Sequence, residues 1–362
     1  MARLGDICKF QSGGTPSKSN PDFFGGNIPW ITTVALNGGT IGNEDAVEWI
    51  TDIAIQKSAA KVVPQNSILV GTRVGIGKVA INSVPMSTSQ DVIAMLDIDT
   101  AIWNKNFLCK FIQSKNDFLL SQARGATIKG IKIETLSNMQ VPDIPINEQC
   151  RIATVMDKVG ALIAKRQAQL DKLDLLVKAR FVEMFGDSYV NPYKFPMARW
   201  NDVFNTTTGK LDSNAAVDNG EYPFFTCSKE TLKIDKYAFD QEALLLAGNN
   251  AAGKYDVKHY KGKFNAYQRT YVLSLKHDWS YALFQFQLED KLGYLEQQSL
   301  GGLTKYLTLK ILNELEFIIP EKSEQDKFAV FVEQIEKSKL TILHSFEKLE
   351  TLKKALMQQY FE

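Results

Sequence analysis

At 362 residues the chain is longer than one average domain, so two or three units are expected. Its 44% hydrophobic, 23% charged and 10% aromatic content excludes disordered and collagen-like classes, and no apolar run approaches the ~18 residues of a membrane span. The net charge of +1, from 42 Lys+Arg against 41 Asp+Glu, argues by itself for no acidic partner; only the local distribution of charge can point to one.

The first ten residues carry Arg3, Asp6 and Lys9 where a secretory signal needs an apolar core, which reads as a cytoplasmic protein. Residues 53–90 hold no Asp or Glu but contain Lys57, Lys61, Arg73 and Lys78. Within them the apolar runs 67–70 and 78–81, bounded by Gly, Asn and Pro, predict strands and turns. Region 1–146 is therefore read as a globular α+β unit. Residues 147–186 contain no Pro and are rich in Leu, Lys, Glu, Gln and Ala; Asn147 ahead of Glu148 is a helix-start signal. Met156, Ile163, Leu170, Val177 and Met184 then recur every seven residues, joined by Ile152, Val159 and Leu173.

Region 187–321 is a second mixed unit, with strands predicted at 243–246 and 271–275. Its basic tract, residues 254–271, sets Lys254, Lys258, Lys261, Lys263 and Arg269 against one acid, Asp256, with Tyr255, Tyr260, Phe264 and Tyr267 interleaved. Region 322–362 again predicts one long helix, starting at Ser323 ahead of Glu324, with Phe328, Ile335, Ile342, Leu349 and Leu356 at a strict interval of seven. Heptads sustained over four repeats are the coiled-coil pattern. Each helix would span about 58 Å, far more than one globule needs to cover its core.

The chain is written twice. Gly125-Ala126-Thr127-Ile128-Lys129 overlays Gly301-Gly302-Leu303-Thr304-Lys305 at an offset of 176, and the offset holds through Glu148-Gln149 with Glu324-Gln325 to Phe185 with Phe361. Upstream, Gly77-Lys78 pairs with Gly253-Lys254 and Gln90 with Gln268. The first helix must carry the chain to the second globule and the second helix must run back. The expected result is an antiparallel coiled coil with a globule at each end, a pseudo-two-fold α+β molecule.

Catalytic chemistry is not legible. Residues 248–254 fit the G-x-x-x-x-G-K phosphate loop, but Tyr255 stands where Ser or Thr must hold magnesium and a strand-like pattern follows where a helix should start. Asn191-Pro192-Tyr193 lacks the second proline of an amino-methyltransferase loop, and Pro142-Asp143 with Glu148 lacks a nuclease lysine. Cys8, Cys109, Cys150 and Cys227 have no C-x-x-C spacing, and His259, His277 and His344 are scattered, so neither a metal site, a disulfide framework nor a cofactor is expected and the cysteines read as structural thiols. Two basic surfaces on a two-fold rod point instead to DNA, with Lys neutralising phosphates and Arg, Gln or Asn reading base edges.

Leu4-Gly5-Asp6-Ile7, Ser12-Gly13-Gly14-Thr15-Pro16-Ser17, residues 25–31, and Ile68-Leu69-Val70-Gly71-Thr72-Arg73 with residues 76–81 closely resemble the target recognition domain of type I restriction-modification specificity subunits. Residues 145–149 with the helix that follows, and their counterpart from Pro320, look like that family's conserved helical regions. The resemblance implies a subunit without catalysis of its own, binding a split site on double-stranded DNA. It also implies docking of two N6-adenine methyltransferase subunits, through which restriction subunits are recruited. The second mixed region departs from the pattern, with Asn205-Thr206-Thr207-Thr208-Gly209-Lys210 in place of Gly-Gly-Thr-Pro-Ser and Asn249-Asn250 in place of Thr72-Arg73. A stand-alone DNA-binding regulator or architectural protein of the same geometry is the alternative. The expected DNA contacts are Arg73, Lys78, Gln90, Arg124 and Lys129 in the first copy and Asn249, Lys254, Lys263, Gln268, Arg269 and Lys305 in the second. Lys78, Lys129, Lys254 and Lys305 are expected on phosphates, and Arg73, Gln90, Asn249, Gln268 and Arg269 on bases.

Overall fold

The structure, a computed structural model, describes residues 1–125, 129–251 and 253–362. The chain forms two compact units, residues 1–167 with 345–362, and residues 168–344. Each unit thus takes its mixed region, the near half of one long helix and the far half of the other.

In the first unit, β1 (Lys9–Ser12), β2 (Phe24–Ile31), β3 (Thr40–Ile41), β4 (Ile68–Gly71), β5 (Val79–Asn82), β6 (Met86–Thr88) and β7 (Val92–Leu96) build two sheets. One has the order β1-β7-β4-β5-β3, and β2 pairs in parallel with β6 in the other. The predicted strands 67–70 and 78–81 correspond to β4 and β5, each one residue further on. Residues of β4, β5 and β7 alternate between two clusters: Ile68 and Val70 face the core of α1 (Lys105–Ser114), while Leu69, Ala80 and Ala94 pack with Ile31 and Met86. Burial on both faces explains why these strands read as continuous apolar runs. Cys8 and Cys109 lie in the first cluster, and burial pushes both thiols up to about 12, leaving them unreactive.

The chain then enters α2 (Ile146–Phe185), 40 residues long. The second unit holds β8 (Phe204–Thr208), β9 (Tyr222–Phe225), β10 (Leu232–Ile234), β11 (Phe239–Ala247), β12 (Asn249–Asn250), β13 (Val257–Ala266), β14 (Thr270–Leu275), α3 (Tyr281–Asp290), β15 (Lys305–Tyr306) and the 40-residue α4 (Lys322–Phe361). Its main sheet has the order β8-β14-β11-β13-β9-β10, with β9 and β13 parallel and the short β12 pairing β15 separately. The heptad residues are the covered ones. In the first unit Ile152 and Met156 of α2 share a cluster with Leu356 and Phe361 of α4; in the second Val177, Phe181 and Phe185 share one with Phe328 and Ile335. The start of one helix lies against the end of the other in both units, so the pair is antiparallel.

Both helices start one residue earlier than the Asn147 and Ser323 signals suggest, at Ile146 and Lys322. The backbone N–H groups of Glu148 and Gln149 turn to the Pro145 carbonyl, and those of Glu324 and Gln325 to the Glu321 carbonyl. The fixed point is the glutamine. Gln149, 1% exposed, accepts from Asn104 N at 2.9 Å and donates to the Ile102 and Ile144 carbonyls; Gln325 likewise accepts from Ser280 N at 3.0 Å and donates to the Pro320 carbonyl. Gln149→Leu strands one N–H and two carbonyls in the interior, for an expected loss of about 3 kcal/mol in urea unfolding. A loss under about 1 kcal/mol would show that the amide does not anchor the helix.

Candidate nucleic-acid interface

In the first unit three loops converge at one end of the β4–β5 hairpin. Thr72 begins the loop after β4; its N–H and its hydroxyl both donate to the Asp91 carbonyl, at 2.8 and 3.1 Å, and its own carbonyl accepts from Ile131 N at 2.8 Å. These bonds gather Arg73, Lys78, Gln90 and Arg124 from stretches far apart in sequence. Arg73, its side chain 47% exposed, pairs with Asp91 at 3.5 Å. It lines a cavity of about 660 Å³ with Gln122, Arg124 and Lys132, where Glu134 is the one acid among the lining residues. Arg124 and Gly130 exchange backbone hydrogen bonds, and Lys129, the neighbour of Gly130, is exposed; the 126–128 part of that motif lies outside the described residues. Gln90 is exposed at a turn whose N–H reaches Thr15 Oγ1 at 3.5 Å.

Two glycine positions shape this end. A Cβ on Gly13 would run into the Ser89 and Thr88 carbonyls, so only glycine lets the 13–15 loop lie on the Gln90 turn. Gly77, with φ +76°, sits in the left-handed turn that returns the chain to β5 just before the exposed Lys78.

The second unit repeats the lacing. Gly248 N donates to the Arg269 carbonyl at 2.8 Å, the Gly248 carbonyl accepts from Leu307 N at 2.8 Å, and Leu300 and Tyr306 exchange backbone bonds as Arg124 and Gly130 do. Gly253 has φ +71°, matching Gly77, and Gly209 meets the Ala266 and Tyr267 carbonyls as Gly13 meets its own pair. The Gly209-Lys210 segment thus has the same close approach despite its changed sequence. Asn249 stands opposite Tyr306 and Asn250 opposite Lys305 in the β12–β15 pair, and the Lys305 stem lies beside Gly253, next to Lys254. Gln268 and Arg269 occupy the turn before β14, with Gln268 Nε2 donating to Asp212 at 3.3 Å. Five of the six expected residues therefore share one end of the sheet.

Lys263 does not join them through any described contact. It lies on β13 opposite Asp240, with its ammonium 4.7 Å from the Tyr237 ring centre. Nor is the basic tract one free surface. Lys258 pairs with Asp256, and Lys261 and His259 both reach Glu242 at 3.0 Å. Burial alone would raise the Glu242 carboxyl, but the bonds from Lys261 and His259 hold it below its ordinary value. Three of the four interleaved aromatics turn inward: Tyr255 and Phe264 are buried and Tyr260 packs against the Phe264 cluster. Strand alternation sends neighbours to opposite faces, which a composition count over the tract does not register. The G-x-x-x-x-G-K segment carries the short β12 and leads into β13, a strand where a nucleotide loop would open a helix.

Sequence reasoning missed Asp91, Lys132, Gln122 and Asp212. Lys132 lies three residues past the Gly125–Lys129 motif of the repeat, and Asp91 follows Gln90 directly, one residue past the acid-free tract.

No described helix is long and apolar enough to cross a membrane. Residues 1–174 and 192–354 match the family model described as the type I restriction modification DNA specificity domain. The specificity subunit of the type I restriction enzyme EcoDI from Escherichia coli is 32% identical over 173 residues, 46% of this chain but only 37% of that subunit's length. That of EcoprrI, also from Escherichia coli, is 21% identical over 360 residues, covering 92% of this chain and 86% of the relative. A crystal structure of the type I restriction-modification S subunit from M. genitalium superimposes with a TM-score of 0.66 over 100% of this chain and 95% of that one; at 15% identity the likeness is one of fold.

Proposed function

The chain belongs to the type I restriction-modification DNA specificity family, and from that premise we propose that it is the DNA-specificity subunit of a type I restriction-modification system, acting in the cytoplasm. In this reading the regions 1–146 and 187–321 are target recognition domains, each binding one half of a split site in double-stranded DNA. The helical regions 147–186 and 322–362 join them. The subunit has no catalysis and no cofactor of its own; two N6-adenine methyltransferase subunits dock on it and bring any restriction subunits.

One observation carries the reading: each unit uses the same hydrogen-bond lacing to present loops whose side chains differ, Arg73 and Asp91 in one where Asn249 and Arg269 stand in the other. A shared frame with divergent tips suits two different half-sites. Co-expression with the native methyltransferase, sizing of the complex and methylome sequencing test it. The expected result is a stable complex and a split adenine-methylated motif. Binding of a split site at equal affinity without a methyltransferase, and no complex with one, would favour a stand-alone regulator.

The helices would then fix the spacer. One heptad inserted after residue 167 and one after residue 344 adds ~10.5 Å of rod. At ~3.4 Å per base pair, the unread spacer should grow by about three base pairs. A folded double insertion that methylates at the original spacing would overturn this.

A further inference from the structure

Arg73 and Asp91 are brought side by side by the backbone, not by their own ion pair. The Thr72 N–H and hydroxyl both hold the Asp91 carbonyl, and the Arg73 stem lies across Gly130, where an added Cβ would meet Arg73 Cγ at 2.8 Å. The two side chains are thus aimed before any ligand arrives, with Nη1 3.5 Å from Oδ1 and the Asp91 side chain 28% exposed.

We infer that Asp91 is a positioning residue for base readout: its carboxylate orients the Arg73 guanidinium toward a base edge and keeps it off the phosphate backbone. This rests on the DNA-specificity reading above. A guanidinium has five N–H donors in a fixed fork, and one carboxylate oxygen engages only one corner. The remaining edge suits the two acceptors of guanine in the major groove. A phosphate is repelled by the same carboxylate, while a neutral base edge is not.

The second unit supplies the contrast. Its backbone equivalent of the Thr72–Asp91 bond is the Gly248–Arg269 bond, so the turn position that holds an acid in one unit holds an arginine in the other. Gly248 thus takes the place of Thr72, and Asn249 the place of Arg73, one position earlier than the sequence comparison sets the Asn249-Asn250 pair. Among the described residues Arg269 has no ion-pair partner. The couple is neutral in the first unit and carries +1 in the second. Arg73 therefore contributes sequence choice with little salt dependence, whereas Arg269 contributes both.

The test uses the complex with the native methyltransferase and three duplexes of equal length: the site its methylome defines, the same site with single changes in the half read by the first unit, and an unrelated sequence. Asp91→Asn keeps the backbone carbonyl that Thr72 holds. It is expected to bind the unrelated duplex more tightly at low salt, to steepen the slope of log affinity against log salt by about one, and to lose about tenfold discrimination at one base. Asp91→Glu should restore discrimination, and in an Arg73→Ala background Asp91→Asn should change discrimination no further. A uniform loss on all three duplexes with the slope unchanged, or discrimination left intact, overturns the assignment. A wild-type complex without any split motif overturns the specificity reading and the couple with it, whereas a split motif indifferent to Asp91→Asn overturns the couple alone.

Discussion

Phe361→Ala is expected to destabilise the first unit by about 3–5 kcal/mol, the range for truncating a buried aromatic ring. Phe361 is the last residue of α4 and is 2% exposed, with ring centres 5.3 Å from Phe107 and 6.1 Å from Phe111. Its carbonyl, one of those a helix end leaves unpaired, accepts from Lys115 Nζ at 2.7 Å. Removal of the ring therefore frees both the aromatic contact and the geometry of that cap. Phe328→Ala should cost the second unit as much, because Phe328 meets Phe181, Phe185 and Phe286 with ring centres within 6 Å. Hydrogen exchange separates the two: protection should fall over the last turns of α4 in the first variant and over its first turns in the second. Equal protection across α4 in both variants, or losses below about 1 kcal/mol, would mean that the rings do not anchor the helix ends.

What the sequence disclosed, and what it withheld, follows the range of the forces involved. The long helices were legible because a seven-residue period is written locally, and Phe328, Ile335, Met156 and Val177 are covered as that period predicts. β4 and β5 were legible because Gly, Asn and Pro mark their ends. The convergence of the three loops was not, since it depends on Thr72 bonding Asp91 and Ile131, partners 19 and 59 positions away. The repeat disclosed equivalence without geometry. It aligned Glu148-Gln149 with Glu324-Gln325, but only the fold gives the reason, a buried amide on which each helix start is pinned. Lys263 shows the limit of composition: it belongs to the basic tract, yet no described contact joins it to the other five expected residues of that unit.

The sharpest functional expectation is that the lysines and the readers fail differently. Lys78 and Lys254 are exposed just after left-handed glycines, Lys129 is exposed, and the Lys305 stem lies beside Gly253. A flexible ammonium there suits phosphate, so removing one should weaken binding on every sequence alike and lower the salt slope by about one unit. Arg73, Gln90, Asn249 and Arg269 lie on the laced loops, whose backbones are fixed by long-range bonds, and a fixed backbone is what bidentate base recognition needs. Loss of one reader should cost about 1–3 kcal/mol and relax a single position in one half-site. Gln268 should show a smaller effect, because Asp212 already holds one of its amide donors and that bond must be given up first. Lys263→Ala should leave the motif unchanged, its ammonium being engaged on Tyr237. Methylome sequencing of alanine variants, with binding measured across a salt series, distinguishes these outcomes. Should Arg73→Ala alter the half-site that Asn249→Ala alters, or Lys78→Ala change the motif while leaving the salt slope intact, the division between phosphate and base contacts fails.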